Sequence, residues 1–281
     1  MHSAYNGATE YVGAAAAEVR WKAGFWGYNA TKYWPGDDSA VTFYPYYPYG
    51  ETVTCNTTNG ISFPAVDLGT TVGDQKDYMI AACSGEYKFS DEKSVTVAFE
   101  HLSSMFLFSV KDLSSNTNDA DYDLLGKITL KSIVVNDVNT RGAYDNTAAN
   151  AVAGTWTAED TNTDFTVYSD ATGMLVPAAG ATVTTPESGA VIVVPGVIVE
   201  DEMTVTITYD IAEYKYDGVI YNATTDNVAT FKLETDAISS WEQGKKYVYT
   251  LKFNLSGEAH EITFTPTVKP WVAAAQDITV E

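Results

Sequence analysis

The chain has 281 residues, of which 45% are hydrophobic and 13% are aromatic, so it can bury the core of one large domain or of two ordinary ones. Its 37 acidic residues outnumber its 16 basic residues and give a formal net charge of -21. This charge argues against nucleic acid and against an anionic membrane surface as partners, because both are bound through clustered lysine and arginine.

The beginning of the chain carries no recognisable export signal. Met1 is followed by polar and small residues, and not by the charged start and apolar stretch of a signal peptide. No run of about 18 apolar residues occurs in the sequence, so no membrane span is predicted. We therefore expect either a cytosolic protein or the mature or truncated form of an exported precursor.

The stretch from Tyr33 to Gly50 joins a polar turn to a strand rich in tyrosine. Alternate residues of a strand point to opposite faces, here Val41, Phe43, Pro45 and Tyr47 on one face and Thr42, Tyr44 and Tyr46 on the other. Both faces are largely aromatic, so each has to be covered by the chain's own core or by another chain. We predict a central strand of an N-terminal sandwich, with Tyr44 and Tyr46 covered by loops, a second domain or a neighbouring subunit.

The same stretch supports a second interpretation, because flat aromatic rings stack on the faces of sugars. The candidate aromatic surface of this kind consists of Trp34, Tyr44, Tyr46 and Tyr49. A tyrosine-rich sheet interior is the more common explanation for such a composition.

The two cysteines, Cys55 and Cys83, leave two alternatives open. They cannot form a structural zinc site unaided, and no Cys-x-x-Cys pair exists. A disulfide requires their Cα atoms to lie within about 7 Å, so a Cys55–Cys83 bridge and two small buried thiols are both compatible with the sequence.

Most of the remaining chain alternates with period two, which is typical of β-strands. Met105–Val110 is apolar on both faces, as in a strand inside a sandwich. Apolar and more polar residues alternate in Met203–Ile211 and in Tyr247–Leu255, so each predicted strand has one apolar face and one more polar face. Pro266 cannot donate to a ladder, so its strand is expected at a sheet edge or a bulge. Many short strands, separated by Gly, Asn, Asp and Pro, indicate an all-β fold made of β-sandwiches.

Polar segments separate these strands. Ser114–Asp123 and Asn136–Asp164 are predicted to be loops. The polar gap Ser84–Lys93 is the preferred domain boundary. It divides the chain into an N-terminal β-sandwich domain at residues 1–92 and a C-terminal β-sandwich domain at residues 93–281.

Residues with catalytic or metal-binding chemistry are scattered. His2, His101 and His260 form no i,i+4 or i,i+2 pair, and His101 is expected to be a hydrogen-bonded residue between two strands. The oxygen-rich segment Asn116–Asp123 lacks the glycine and the bidentate glutamate of a calcium loop, so a solvated acidic loop is favoured.

No nucleophile elbow and no dinucleotide-binding or phosphate-binding sequence is present. We therefore predict no catalytic residue, no metal and no cofactor. Two carboxylates about 5 Å apart, as a retaining glycosidase needs, are neither supported nor excluded by the sequence.

Several segments of the sequence are informative when they are taken in order along the chain. In the N-terminal half these are Tyr33-Trp34-Pro35 leading into Val41–Pro48, then Asp77–Ala81, Val97–Val110 with its Phe99–His101 step, and Ile128–Tyr144. In the C-terminal half they are Val191–Pro195, the alternating strand to Ile211, Trp241–Leu251, and Val268–Trp271. Taken in this order over most of the chain, they resemble the fimbrillin family of Bacteroides-type (type V) pili.

The resemblance implies two tandem transthyretin-like β-sandwich domains of the Ig-like Greek-key type. It also implies a lipoprotein precursor, export across the outer membrane, and assembly into cell-surface fimbriae in which a β-strand of one subunit fills a groove in the next. The partners are then other fimbrial subunits, in a homo- or hetero-polymer, and ligands on host or bacterial surfaces.

Two departures from the family pattern affect these expectations. The signal and the lipobox cysteine are absent, and the segment before Trp34 is short for the family's first domain. We therefore expect the N-terminal domain to lack one or more early strands.

The C-terminal segment Val272–Glu281 is the candidate donor strand, with Ala275, Ile278 and Val280 as its candidate residues. Its ten residues are short for that role. The leading hypothesis is a non-enzymatic structural or adhesive fimbrial subunit at the cell surface. The alternative is a surface carbohydrate-binding module that uses exposed aromatics, and an enzyme is the third hypothesis.

Overall fold

A computed structural model of the chain describes residues 1–5, 8–9, 17–22, 25–28, 33–81, 94–112, 124–148, 151–160, 162–176, 182–184, 189–215, 220–254, 261–272 and 276–279. These residues form 25 β-strands and no α-helix, which confirms the predicted all-β class. The strands are β1 (His2–Tyr5), β2 (Ala8–Thr9), β3 (Val19–Lys22), β4 (Phe25–Tyr28), β5 (Val41–Tyr44), β6 (Tyr46–Tyr47), β7 (Thr54–Asn56), β8 (Gly60–Asp67), β9 (Met79–Ala81), β10 (Ser94–Val97), β11 (Phe99–His101), β12 (Ser104–Asp112), β13 (Leu124–Asn139), β14 (Arg141–Asn146), β15 (Gly154–Ala158), β16 (Asn162–Leu175), β17 (Thr182–Thr184), β18 (Val191–Val193), β19 (Gly196–Val197), β20 (Thr204–Lys215), β21 (Ile220–Lys232), β22 (Ser240–Trp241), β23 (Lys245–Asn254), β24 (Glu261–Pro270) and β25 (Gln276–Thr279).

Seven sheets are formed within the described part of the chain. In strand order they are β2-β1-β5, β10-β25-β4-β3, β11-β9-β6, β15-β14-β8-β7, β17-β12-β23-β24, β16-β13-β20-β21 and β19-β22, with β18 also paired to β12. The pairs β12–β23 and β25–β4 are parallel, and the other pairs are antiparallel.

The sheets β17-β12-β23-β24 and β16-β13-β20-β21 enclose the largest hydrophobic cluster, which we call the C-terminal core. Its central strands contribute alternate residues, as the period-two patterns predict. From β12, β13, β20 and β23 these are Phe106, Phe108, Val110, Ile128, Leu130, Ile133, Val135, Val205, Ile207, Tyr247, Tyr249, Leu251 and Phe253. Since apolar burial contributes about 25 cal/mol per Å², this set is the main attraction between the two sheets.

Strand β12 is buried on both faces, which confirms the two-sided apolar pattern predicted for this segment. Phe106 and Phe108 lie in the C-terminal core, whereas Met105 and Leu107 belong to a small cluster with Ala190. The strand lies between β17 and β23 in its sheet, so it is an interior strand.

Among the described strands, β24 lies at the edge of its sheet, as expected from Pro266. The ring of Phe264 closes the core at this edge. It stacks on Tyr249 with centroids 4.9 Å apart and on Phe231 of β21 with centroids 5.5 Å apart. The two edge strands of the sandwich are therefore joined by aromatic contacts.

The tyrosine-rich stretch forms β5 and β6, and its two faces are buried in two different clusters. The N-terminal core consists of Met1, Tyr28, Val41, Phe43, Ala81, Val95 and Val97. The central core consists of Tyr44, Tyr46, Ile61, Phe63, Val66, Leu68, Tyr78, Ile80, Leu102, Tyr144 and Val194. The chain's own residues thus cover both faces. Tyr47 differs from the prediction, which placed it on the same face as Val41 and Phe43. It is the last residue of β6, and its side chain is 48% exposed.

The segment Asn136–Asp164, predicted to be a loop, contains two complete strands and parts of two others. Strand β14 pairs with both β8 and β15, so tertiary pairing overrides the loop-like composition. Small residues permit this arrangement. A Cβ on Gly142 would lie 2.6 Å from the Thr157 carbonyl oxygen, and a Cβ on Gly154 would lie 2.3 Å from the Tyr144 ring.

Several predicted features lie outside the described residues, namely Cys83, the boundary segment Ser84–Lys93 and the acidic segment Asn116–Asp123. Cys55 is half-buried and packs against the central core. Pairings of β4 with β25, β9 with β11 and β8 with β14 join strands from the two sides of the expected boundary at residues 92 and 93. The division at that boundary stays a prediction.

Replacing Gly154 with alanine should destabilise the protein, because the added methyl group meets the fully buried ring of Tyr144. Overpacking of this kind costs roughly 1–3 kcal/mol, so we expect the free energy of unfolding to fall by that amount in urea titrations. Gly36→Ala is the matched control, since nothing lies within 4 Å of its added Cβ. Equal stability of the two variants would contradict the close contact.

Raising the pH should unfold the protein through its buried tyrosines. Burial raises the pKa of Tyr144 to about 12, and it also raises the pKa of Tyr78 and Tyr249. The unfolded chain ionises tyrosine near pH 10, so the stability is fully present below about pH 10 and is lost as the pH rises toward 12.

This alkaline transition is measured by following tyrosinate absorbance and circular dichroism together. A fraction of the tyrosines should ionise only as the strand signal is lost, and Tyr144→Phe should move the midpoint to higher pH. Normal ionisation of every tyrosine while the strand signal persists would show that these rings are accessible.

Candidate functional site

The C-terminal strand β25 occupies an internal position in the sheet β10-β25-β4-β3. It runs antiparallel to β10, with Ile278 opposite Val95, and parallel to β4, with Ile278 opposite Trp26. Since an internal strand forms backbone hydrogen bonds on both edges, β25 completes this sheet. Val95 and Val97 of β10 belong to the N-terminal core, so the sheet covers that core.

The structure describes one of the three candidate donor residues. Ile278 lies in β25, whereas Ala275 and Val280 lie outside the described residues. The tail pairs within its own chain, and its role as a donor strand stays a prediction. We call the position between β10 and β4 the C-terminal strand slot.

The chain enters this tail at Trp271, which is held in place by its backbone and its ring. Its N–H donates to the carbonyl oxygen of Gly244 at 2.8 Å, and the N–H of Gly244 donates to the carbonyl oxygen of Ser103 at 3.0 Å. Gly244 has φ of +66°, a left-handed conformation that glycine adopts without strain. Val272 then forms an isolated bridge with Glu100 of β11. The tail is thus anchored just before it reaches the slot.

The ring of Trp271 stacks on His101, with centroids 3.7 Å apart and planes 11° apart. The imidazole is itself fixed by Asp77, since His101 Nδ1 lies 2.8 Å from Asp77 Oδ2. This geometry confirms that His101 is a hydrogen-bonded residue at a strand end. The stack links the tail to the connection between β8 and β9.

The four residues of the candidate aromatic surface are not together on the surface. Tyr44 and Tyr46 are buried in the central core, because β5 and β6 are covered on that side. Trp34 is half-buried and meets Phe43 edge-on at 6.1 Å. Tyr49 is 54% exposed. Tyr44 and Tyr46 are therefore not available to stack on a sugar at the surface.

The described residues contain no group of three or more His, Cys, Asp or Glu side chains that could hold a metal ion. They also contain no helix long and apolar enough to cross a membrane. The features that remain are the C-terminal strand slot and the anchored tail that leads into it.

Several hydrogen-bonded sheets, one of which contains β25 between β10 and β4, define an all-β protein. The chain belongs to the fimbrillin-like family, whose model matches residues 2–271. This confirms the resemblance identified from the ordered segments. Membership of the family supports a role as a fimbrial subunit.

Two solved structures share this fold over almost the whole chain. A fimbrial protein from Bacteroides vulgatus is 18% identical, with a TM-score of 0.59, and the match covers 96% of this chain and 91% of that chain. A protein from Bacteroides uniformis, described as a candidate cell adhesion protein, is 19% identical, with a TM-score of 0.58, and the match covers 96% of this chain and 90% of that chain. At these identities the likeness shows the fold alone. No curated protein matches the chain.

Removing the Trp271 ring should loosen the C-terminal strand without unfolding the C-terminal core. An aromatic pair of this kind contributes about 0.5–1.5 kcal/mol, so amide exchange in residues 276–279 of Trp271→Ala should be roughly twofold to tenfold faster. Exchange in β23 should be unchanged. Hydrogen–deuterium exchange with mass spectrometry resolves both segments.

Tyr49→Ala is the matched control for this measurement, because it removes an aromatic ring that is 54% exposed. Equal exchange of residues 276–279 in Trp271→Ala and in the unsubstituted protein would show that the stack does not hold the tail.

Proposed function

We propose that the chain is a structural and adhesive subunit of cell-surface fimbriae, and that it polymerises when the terminal strand of one subunit is added to a sheet of the next. The observation that carries this proposal is the internal position of β25 between β10 and β4. Membership of the fimbrillin-like family supports the same role.

The slot has the chemistry that strand addition needs. Its two walls, β10 and β4, each present backbone N–H and C=O groups to the strand between them. The same two walls supply Val95, Val97 and Tyr28 to the N-terminal core. A strand from another subunit makes the same backbone hydrogen bonds as β25, because main-chain pairing does not depend on which chain supplies the strand.

The pairing of β25 on its two edges is unequal, which favours exchange. Among the described residues, Gln276–Thr279 pair with β10, whereas the pairing with β4 is Ile278 opposite Trp26. Net contributions of about 0.5–1.5 kcal/mol per hydrogen bond give a strand that is held moderately in its own sheet. The tether raises its effective concentration, so the unassembled subunit is self-filled, and a longer or better matched strand displaces β25.

The proposal also covers where the subunit acts and its lack of enzymatic activity. The subunit acts outside the cell, is exported as a lipoprotein precursor, and carries no catalytic residue. The net charge of -21 keeps a chain with 13% aromatic residues soluble before assembly. Two tandem transthyretin-like sandwiches are the domain organisation that we propose for it, with function residing in the geometry of the polymer.

A proline in β25 tests the proposal, because proline removes a backbone donor from the ladder. The full chain should form elongated particles when it is incubated just below its unfolding midpoint. Ile278→Pro should lower that midpoint and should abolish the particles. Ile278→Val is the control, since valine keeps the strand propensity. Negative-stain microscopy and size-exclusion chromatography with light scattering measure the assembly.

A complementary measurement uses the chain truncated after residue 272 together with a synthetic peptide of residues 272–281. The peptide should raise the unfolding midpoint of the truncated chain, and a peptide with proline at position 278 should not. A truncated chain as stable as the full chain, with no response to the peptide, would refute strand addition at this slot.

A further inference from the structure

A cavity of about 370 Å³ lies beside the anchored tail. Its wall is formed by the connection between β8 and β9, the start of β12, the start of β18, and Trp271. The lining residues are Gly73, Gln75, Asp77, His101, Met105, Ala190, Ile192 and Trp271. Its volume falls in the range of about 300–1,000 Å³ that is usual for small-molecule sites.

One wall of the cavity is fixed by a side chain that acts as a strand partner. The amide of Gln75 donates to the carbonyl oxygen of Ile192 at 2.6 Å, and its oxygen accepts the N–H of Ile192 at 2.8 Å. This double contact ties the connection between β8 and β9 to β18. The cavity is therefore built by distant parts of the chain that are held at a fixed separation.

The polar side of the cavity offers hydrogen-bond acceptors. Asp77 Oδ2 binds His101 Nδ1, and since a carboxylate only accepts, the imidazole is the donor. In the neutral ring Nε2 is then an acceptor. The Asp77 side chain is 23% exposed. A carboxylate oxygen can accept more than one hydrogen bond, so a hydroxyl group of a ligand can donate to the exposed part of this carboxylate beside His101.

Most of the remaining lining is apolar. This apolar part consists of Met105, Ala190, Ile192 and the indole of Trp271. The described lining residues include no lysine or arginine that could pair with an anion, and the net charge of -21 repels an anion further. An apolar wall also disfavours a fully charged ligand, because the ligand would lose its hydration there.

We propose that this cavity binds a small neutral ring compound that carries several hydroxyl groups, that is, a single sugar residue. Its hydroxyl groups donate to Asp77 and to the imidazole of His101, and its apolar face packs against Trp271 and Met105. The site is separate from Trp34, Tyr44, Tyr46 and Tyr49, and it does not depend on polymerisation.

The test uses the full chain and a panel of methyl glycosides of common hexoses and of N-acetylhexosamines. Binding is followed by saturation-transfer NMR and by tryptophan fluorescence, to which Trp271 contributes. We expect at least one glycoside to bind saturably with a Kd of about 1 mM, the affinity of a small ligand held by a few hydrogen bonds and one apolar face.

Two variants locate the site. Asp77→Asn keeps the size of the side chain but places an amide where the acceptors were, and Ala190→Leu fills the cavity from its apolar side. Each should weaken binding at least about tenfold, which corresponds to the loss of one satisfied hydrogen bond or of the ligand's space. Tyr49→Ala, which alters an exposed ring, should bind normally. Circular dichroism and the unfolding midpoint verify that each variant is folded.

Three results would overturn the proposal. The first is that no glycoside binds saturably. The second is that binding is unchanged in Asp77→Asn and, where it folds, in Ala190→Leu. The third is that tetramethylammonium competes with the glycoside or binds more tightly, since the cavity would then select a cation. Assembly measured for the same variants separates these outcomes from a failure of strand addition.

Discussion

The backbone pairing of β25 between β10 and β4 is the constraint on which the N-terminal part of the structure depends. Without a strand in that position, two edges with unpaired N–H and C=O groups would face each other beside the N-terminal core. The strand that prevents this lies far from β4 and β10 in sequence and follows Trp271, which is anchored on Gly244 and His101. Completion of the N-terminal sheet is therefore coupled to the formation of β23 and β24, which position Trp271.

The tyrosine-rich strand illustrates a second constraint, namely that one segment separates two cores. Val41 and Phe43 pack in the N-terminal core, and Tyr44 and Tyr46 pack in the central core. A substitution on one face of this segment therefore affects the N-terminal core, and a substitution on the other face affects the central core. This arrangement explains why the stretch is aromatic on both sides, and it turns an apparent binding platform into an internal wall of the protein.

The period-two patterns predicted the strands of the C-terminal core, because β12, β20 and β23 alternate or are apolar throughout, and a local pattern suffices to identify them. The strands β14 and β15 could not be predicted, since their composition resembles a loop and their pairing depends on β8, far away in sequence. The position of β25 was equally hidden, because a short tail carries no signal of the slot that it fills. The cavity residues Gln75, His101 and Ile192 have no common motif, and only the fold brings them together.

The parallel pairing of β12 with β23 has a mechanical consequence. Residues from Met105 to Asp112 pair with residues from Lys246 to Phe253 along one continuous ladder. Tension applied along these strands in opposite directions loads the hydrogen bonds of the ladder simultaneously, in shear, whereas a pull across the strands would break them one after another. Under such a load the C-terminal core would therefore resist stretching through this ladder.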